Sequence, residues 1–403
     1  MNRSFFISVG PGQSVFAGEE FFYRMECRAA DFRVFCYLCF RNQNRLTFMT
    51  KLQSRNYGLD LLRVLACYMV LQVHAGEFYY IADGGLVAAG GEPVWACWLN
   101  SLCRTAVPLF VMLSGFFLLP VRERTRDFFA RRFVRVVVPF LVWCVLYAIY
   151  QFLTGRTDAA GALLGVCRIP VNFGVEIGHL WFVYMLLGLY LFAPVVSPWI
   201  ETASRRAMEG YLALWAFTLC IPYVHLVFPE LLGECFWNDT PMLYYFSGFL
   251  GYMVLAAYLR RYHAAPRAWH KWGGALLVVA GYFATAWIFD ARLATQRLVA
   301  DLELSWGFGT INVAVMSVGL FLLLKDVRPG AGRFTGVVTD ISRLSYGIYL
   351  IHIMLLNFFH GWLDPLIVSA GIKIPVLALC TFVSSYAVVK LISLLPGSKY
   401  VVG

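Results

Sequence analysis

The stretch running from Leu59 to Ile81, LDLLRVLACYMVLQVHAGEFYYI, decides the fold. Of its 23 residues, 19 are neither charged nor histidine. A helix needs about 20 apolar residues to cross a bilayer core, so this segment reads as a membrane span. Arg63 and His74 are costly to place there. They lie 11 positions apart, which at ~100° per residue brings both onto one face, ~16 Å apart along the axis. An ionisable side chain facing lipid costs roughly 2.5 kcal/mol or more. A helix carrying two on one stripe is expected to line a site.

The rest of the chain agrees with a membrane class. It is 60% hydrophobic and 14% charged, with a mean hydropathy of +0.68. Soluble domains run near 45–50% apolar and ~25% charged. Ten apolar segments follow one another at about 59–81, 95–119, 133–153, 177–197, 210–229, 241–259, 273–289, 304–324, 343–360 and 374–395. With the start of the first span on the cytoplasmic side, cytoplasmic pieces hold 20 Lys and Arg and outer loops hold 5. This positive-inside bias predicts an all-α, polytopic membrane bundle of about ten transmembrane helices with both termini cytoplasmic. It also accounts for the net charge of +10 without nucleic acid. The 11 cysteines lack metal spacing beyond Cys36-x-x-Cys39 and show no disulfide framework, so no metal is expected. Oligomeric state is open at this stage.

Residues 1–48 form a mixed, Arg-rich extension without an 18-residue apolar run. They read as poorly ordered chain, or as a start site placed too early, Met49 being a natural alternative. Residues 49–403 form the membrane domain.

Several constellations carry candidate chemistry. His74 is the one group in its part of the span able to move a proton near neutral pH. Arg63 suits an anionic ligand arriving from the cytoplasm, or merely snorkels. Asp60 precedes Arg63 by three residues and Glu77 follows His74 by three, spacings that allow each pair to meet on a helix. Arg104 lies about ten residues into the second span, ahead of Pro108 and Ser114-Gly115, which allow a kink there and close helix approach. Arg131, Arg132 and Arg135 open the third span at spacings that share one helical face. They read as a phosphate cradle or as a positive-inside anchor that meets anionic lipid. His179 and Trp181 open the fourth span, as a sugar platform or as part of an aromatic belt. Tyr349 and His352 begin the ninth. There is no P-loop, HExxH, GxSxG or GxGxxG, and no Asp or Glu is placed near mid-membrane. That counts against ion-coupled transport, which commonly uses intramembrane carboxylates. A sugar or glycolipid transporter or flippase is the alternative to an enzyme, with a non-catalytic membrane sensor behind it.

Taken in order, these blocks resemble the acyltransferase 3 family of integral membrane acyltransferases. Arg63-x10-His74 looks like its first-span signature and Arg104-Thr-Ala-Val-Pro-Leu-Phe-Val-Met-Leu-Ser-Gly-Phe like its second. Arg131-Arg-Phe-Val-Arg135-Val-Val-Val-Pro139 resembles the third, and His179-Leu-Trp-Phe and Tyr349-Leu-Ile-His352 match weaker blocks. The spacing and the HLWF block are most similar to the branch that includes the enterobacterial common antigen O-acetyltransferase. The resemblance spans about residues 57–395. It implies transfer of an acyl group, usually acetyl from acetyl-CoA, to a hydroxyl of a sugar or lipid-linked glycan at the bacterial inner membrane. By the same resemblance, Arg63 and His74 belong to the active centre, with the third-span arginines meeting the CoA phosphates. Arg104 is then expected at the reacting thioester. His179, Trp181, Tyr349 and His352 are expected around the acceptor, and Asp60, Glu77 and Ser114 in orienting roles. The resemblance is to the membrane domain, and the fused C-terminal hydrolase-like domain that some relatives carry is not expected here.

Overall fold

A computed structural model describes residues 56–172, 175–328, 330 and 333–403. The expectations for residues 1–48 fall outside the described residues. The described chain is 76% helical. Its single sheet is the two-residue hairpin Ile81–Ala82 with Leu86–Val87.

The principal helices are α1 (Tyr57–Glu77), α2 (Glu92–Asn100), α3 (Ala106–Leu118), α4 (Thr125–Arg132), α5 (Val138–Leu153) and α6 (Trp181–Thr202). They continue with α7 (Arg205–Thr218), α8 (Leu250–Tyr262), α9 (Ala268–Leu293), α10 (Ile311–Leu324), α11 (Arg333–Leu363) and α12 (Ala370–Ile392). Among the described residues, seven helices are long and apolar enough to cross a membrane, or nine if each of two bent pairs counts as one span. The chain is thus a polytopic helical bundle. Nine of the ten expected segments correspond to these spans. The remaining one, 241–259, is helical as α8 only from Leu250, because Pro241 and a left-handed Gly248 (φ 81°) occupy its first half. Only 13 residues long, α8 is a mostly buried helix inside the bundle.

Helix α1 is unbroken over its 21 residues. Asn56 caps it, its side chain accepting from the Leu59 amide at 3.2 Å. It packs against α3, α11 and α12. Two close approaches set the neighbouring geometry. Gly274 of α9 and Gly319 of α10 lie against each other's carbonyls, and Gly115 of α3 lies against the Met253 backbone of α8. A methyl group at any of these positions would collide with main chain. Small residues at such crossings are the usual way membrane helices come together.

Two spans are broken. The second consists of α2, a 3-10 turn over Leu102–Thr105, and α3, bent by 41°. The break precedes Pro108, which falls in the first turn of α3, where its missing N–H costs nothing. The eighth consists of a short turn from Val299, a 3-10 turn over Glu303–Trp306, and α10, also bent by 41°. Side chains hold the second break shut. Asn312 Nδ2 donates to Thr285 Oγ1 at 2.7 Å and to the Ser305 carbonyl at 2.6 Å. Trp306 Nε1 donates across to Ser101 Oγ at 3.0 Å, tying one break to the other.

Candidate functional site

Both broken spans face α1 around a cavity of about 330 Å³. From α1 and its end it is lined by His74, Glu77 and Tyr80, from the two breaks by Arg104 and Glu303, and from α6 by Trp181. Apolar residues including Val107, Phe110, Phe182 and Phe308 close most of the remaining wall.

On the α1 side, His74 Nδ1 lies 2.8 Å from Glu77 Oε2. One turn of helix creates this pair, as the i,i+3 spacing implied. A carboxylate accepts only, so Nδ1 carries the proton and the lone pair of the neutral ring sits on Nε2. Two further imidazoles crowd the same point. The His352 ring centre is 5.3 Å from that of His74 and 4.9 Å from that of His179. His352 is fully buried on α11. Its Nδ1 donates to the Tyr349 carbonyl at 2.5 Å, which again leaves the lone pair on Nε2. The Tyr349 hydroxyl donates to the His179 carbonyl, pinning the 3-10 turn that leads into α6. Of this group, His179 and Tyr349 line the cavity, whereas His352 packs behind them.

On the opposite side, Arg104 is buried in its 3-10 turn. Its Nη2 lies 3.4 Å from Glu303 Oε1 and 3.3 Å from the Tyr80 hydroxyl. Tyr80 in turn donates to Glu303. The guanidinium carbon sits 3.9 Å over the Trp306 ring, which stacks on Phe289. A desolvated cation over an indole is worth about 2 kcal/mol. Nε of Arg104 has no hydrogen-bond partner among the described residues. Arg104 is thus held by one carboxylate, one phenol and one ring, with a donor to spare.

At the rim, Trp181 is 39% exposed and stacks on Phe308 at 5.7 Å. This offers a flat apolar face beside the histidines.

The other expected site residues lie elsewhere. Asp60 and Arg63 pair at 3.9 Å, and Ser342 of α11 bridges them, accepting from Arg63 Nη1 at 3.3 Å and donating to Asp60 Oδ1 at 2.6 Å. Neither borders the cavity. Ser114 is half-buried on α3 and does not border it either. Arg131 forms an ion pair with Glu123, and Arg132 lies over the rings of Phe128 and Tyr190 at 5.1 and 5.5 Å. Arg135 sits in a π-turn over Phe133–Val137, which interrupts the α-helical spacing that would align all three.

Glu303, Tyr80 and Trp306 were not singled out from the sequence. Glu303 falls one residue ahead of the apolar segment 304–324, outside the stretch that reads as a span. The glycines at 307 and 309 marked a break nearby, but no sequence pattern tied it to Arg104, 199 residues away.

No curated protein and no solved structure matches the chain. The profile of the acyltransferase domain family, Acyl_transf_3, matches residues 56–394. That match spans most of the chain, including the helices around the histidine cavity, and by it the chain belongs to the acyltransferase 3 family of membrane proteins.

Proposed function

We propose that the protein is a membrane O-acyltransferase that takes an acyl group, acetyl in the simplest case, from cytosolic acyl-CoA. The acceptor is a hydroxyl of a cell-envelope sugar or lipid-linked glycan, and the setting is the bacterial inner membrane with the arginine-rich end facing the cytosol. One observation carries the reading: His74 presents Nε2 as a lone pair in a cavity that also contains Arg104, while Glu77 occupies its other nitrogen.

The chemistry follows from these groups. His74 Nε2 takes the proton of the acceptor hydroxyl as its oxygen attacks the thioester carbonyl. Glu77 stabilises the imidazolium that forms, as a carboxylate does for a histidine base. Arg104 faces the negative charge that develops on the carbonyl oxygen. The carbon–sulfur bond breaks, and the CoA sulfur leaves with the proton returned by His74. The products are an ester and free CoA. The Trp181–Phe308 face offers a stacking surface for the apolar side of a sugar ring. Arg63, ~16 Å from His74 along α1, lies on the path that a donor arm would follow from the cytosol.

The test is incubation of purified protein with radiolabelled acetyl-CoA and a lipid-linked glycan fraction, wild type beside His74→Ala. Label entering glycan with wild type alone supports the reading. CoA bound without transfer means that the donor or acceptor is wrong. Neither binding nor transfer favours a transporter.

A further inference from the structure

A second cavity, of about 320 Å³, opens at the other end of the bundle, where α3, α6 and α8 finish together. Its walls are Leu119, Pro120, Ile200 and Ala257, and its charged lining is Arg122, Arg260, Arg261 and Glu201. We infer that this cleft is a binding site for an organic phosphate, held by Arg122, Arg260 and Arg261.

Single exposed arginines are ordinary at a membrane surface. Here three border one concavity, and two of them are fixed in place. Arg260 Nη1 donates to the Phe116 carbonyl at 2.7 Å and to that of Leu119 at 3.4 Å. Arg261 Nη1 donates to the carbonyls of Ile200, Glu201 and Ala203 at 2.9, 3.4 and 3.2 Å. Each guanidinium thus closes the C-terminal end of a neighbouring helix with one nitrogen. The Nε and Nη2 groups of both make no hydrogen bond among the described residues. An anchored guanidinium has already lost most of its rotamer freedom, so less is lost when it meets an anion. Arg122 makes no hydrogen bond or ion pair among the described residues. Fork-shaped donors converging on one cleft suit a phosphate monoester or a diphosphate. Glu201 opposes such a ligand, and its sign makes it a useful control.

The contrast with the third-span arginines strengthens the assignment. Arg260 and Arg261 lie over the rings of Phe116 and Tyr262 much as Arg132 lies over those of Phe128 and Tyr190, but Arg131 is engaged by Glu123, and Arg131, Arg132 and Arg135 border neither cavity. The two cavities share α3 as a wall: Phe110 lines one and Leu119 the other. Nine helical residues separate them, roughly 14 Å along the axis. On α6, Phe182 lines the first cavity and Ile200 the second, roughly 27 Å apart along that axis. A long donor anchored by its phosphates in the cleft would have its far end near the histidines. This part rests on the proposed acyl-CoA reading; the phosphate site does not.

The phosphate has two sources, a soluble donor or a lipid headgroup, and the test separates them. Full-length protein in phosphatidylcholine nanodiscs is titrated with CoA and with inorganic pyrophosphate, as wild type, Arg122→Ala, Glu201→Gln and Arg131→Ala. Arg122 is exposed and caps nothing, so its variant should melt with wild type. Expected are about a tenfold weaker Kd for both ligands in Arg122→Ala, a severalfold tighter Kd in Glu201→Gln, and no change in Arg131→Ala. If the soluble ligands fail to bind but phosphatidylglycerol is retained by wild type and lost from Arg122→Ala, the site holds a headgroup. Soluble binding that ignores Arg122 and Glu201, or that vanishes in Arg131→Ala, overturns the inference. So does the absence of any phosphate ligand. Pyrophosphate binding that follows the variants in a protein that neither binds CoA nor transfers an acetyl group would count against the acyl-CoA reading and leave the site standing.

Discussion

The two sides of the histidine cavity are built in opposite ways. One side is a straight helix. On α1, Asp60, Arg63, His74 and Glu77 take their places by periodicity alone, and the partner of each histidine or arginine is three residues away. The other side consists of two broken spans. Arg104 and Glu303 meet there only because two 3-10 turns, far apart in sequence, fall beside each other. A straight helix can present a group but cannot turn main chain toward a cavity. A break can, provided that protein covers the freed backbone groups. On the proposed mechanism, the α1 side supplies the proton acceptor from a regular helix, whereas on the broken side the group offered to the substrate is also part of what holds two spans together.

The largest expected effect lies on the α1 side. His74→Ala should lower acyl transfer by about 10²- to 10⁴-fold, the usual range for a lost general base, and leave the melting temperature close to wild type. A large loss of stability would break the contrast. Next is the ion pair of the broken spans. Glu303→Gln leaves Arg104 buried without its counter-charge and should cost about 2 kcal/mol of stability as well as activity. The double variant Arg104→Met with Glu303→Gln should recover most of that stability and none of the activity. Thermal unfolding in detergent reads the first, transfer assays the second; additive losses would mean that the pair is not coupled. A smaller effect is expected at the rim, where Trp181→Ala should raise the acceptor KM by about tenfold and change kcat little, as loss of one stacking face does. The smallest is expected at Arg131. It is exposed and already paired with Glu123, so alanine there should change transfer by less than about twofold.

The same contrast explains what could be read from the sequence. The α1 span and its two i,i+3 pairs are periodic signals, and they appear in the structure, although only the His74 end of the expected stripe borders the cavity. His179, Tyr349 and His352 were recognised as separate blocks; that their rings converge on His74 depends on helix packing, which no local pattern encodes. Tyr80, Glu303 and Trp306 were missed because each is ordinary where it stands and acquires its role only across a break. The segment at 241–259 had the apolar composition of a span, but Pro241 and Gly248 confine its helix to the second half. The third-span arginines had helical spacing, and a π-turn cancels the alignment that spacing predicts.

The 199 residues between Arg104 and Glu303 are also an interval of time. At roughly 5–20 residues per second, a ribosome needs about 10–40 s to supply the carboxylate after the arginine has been made. During that interval the second span must wait at the membrane with its cation unmatched and its helix interrupted. Assembly of these two spans is therefore ordered in time. The early broken span can complete its ion pair and its bond to Trp306 only after the late one arrives, and a nascent chain halted before the eighth span would lack both.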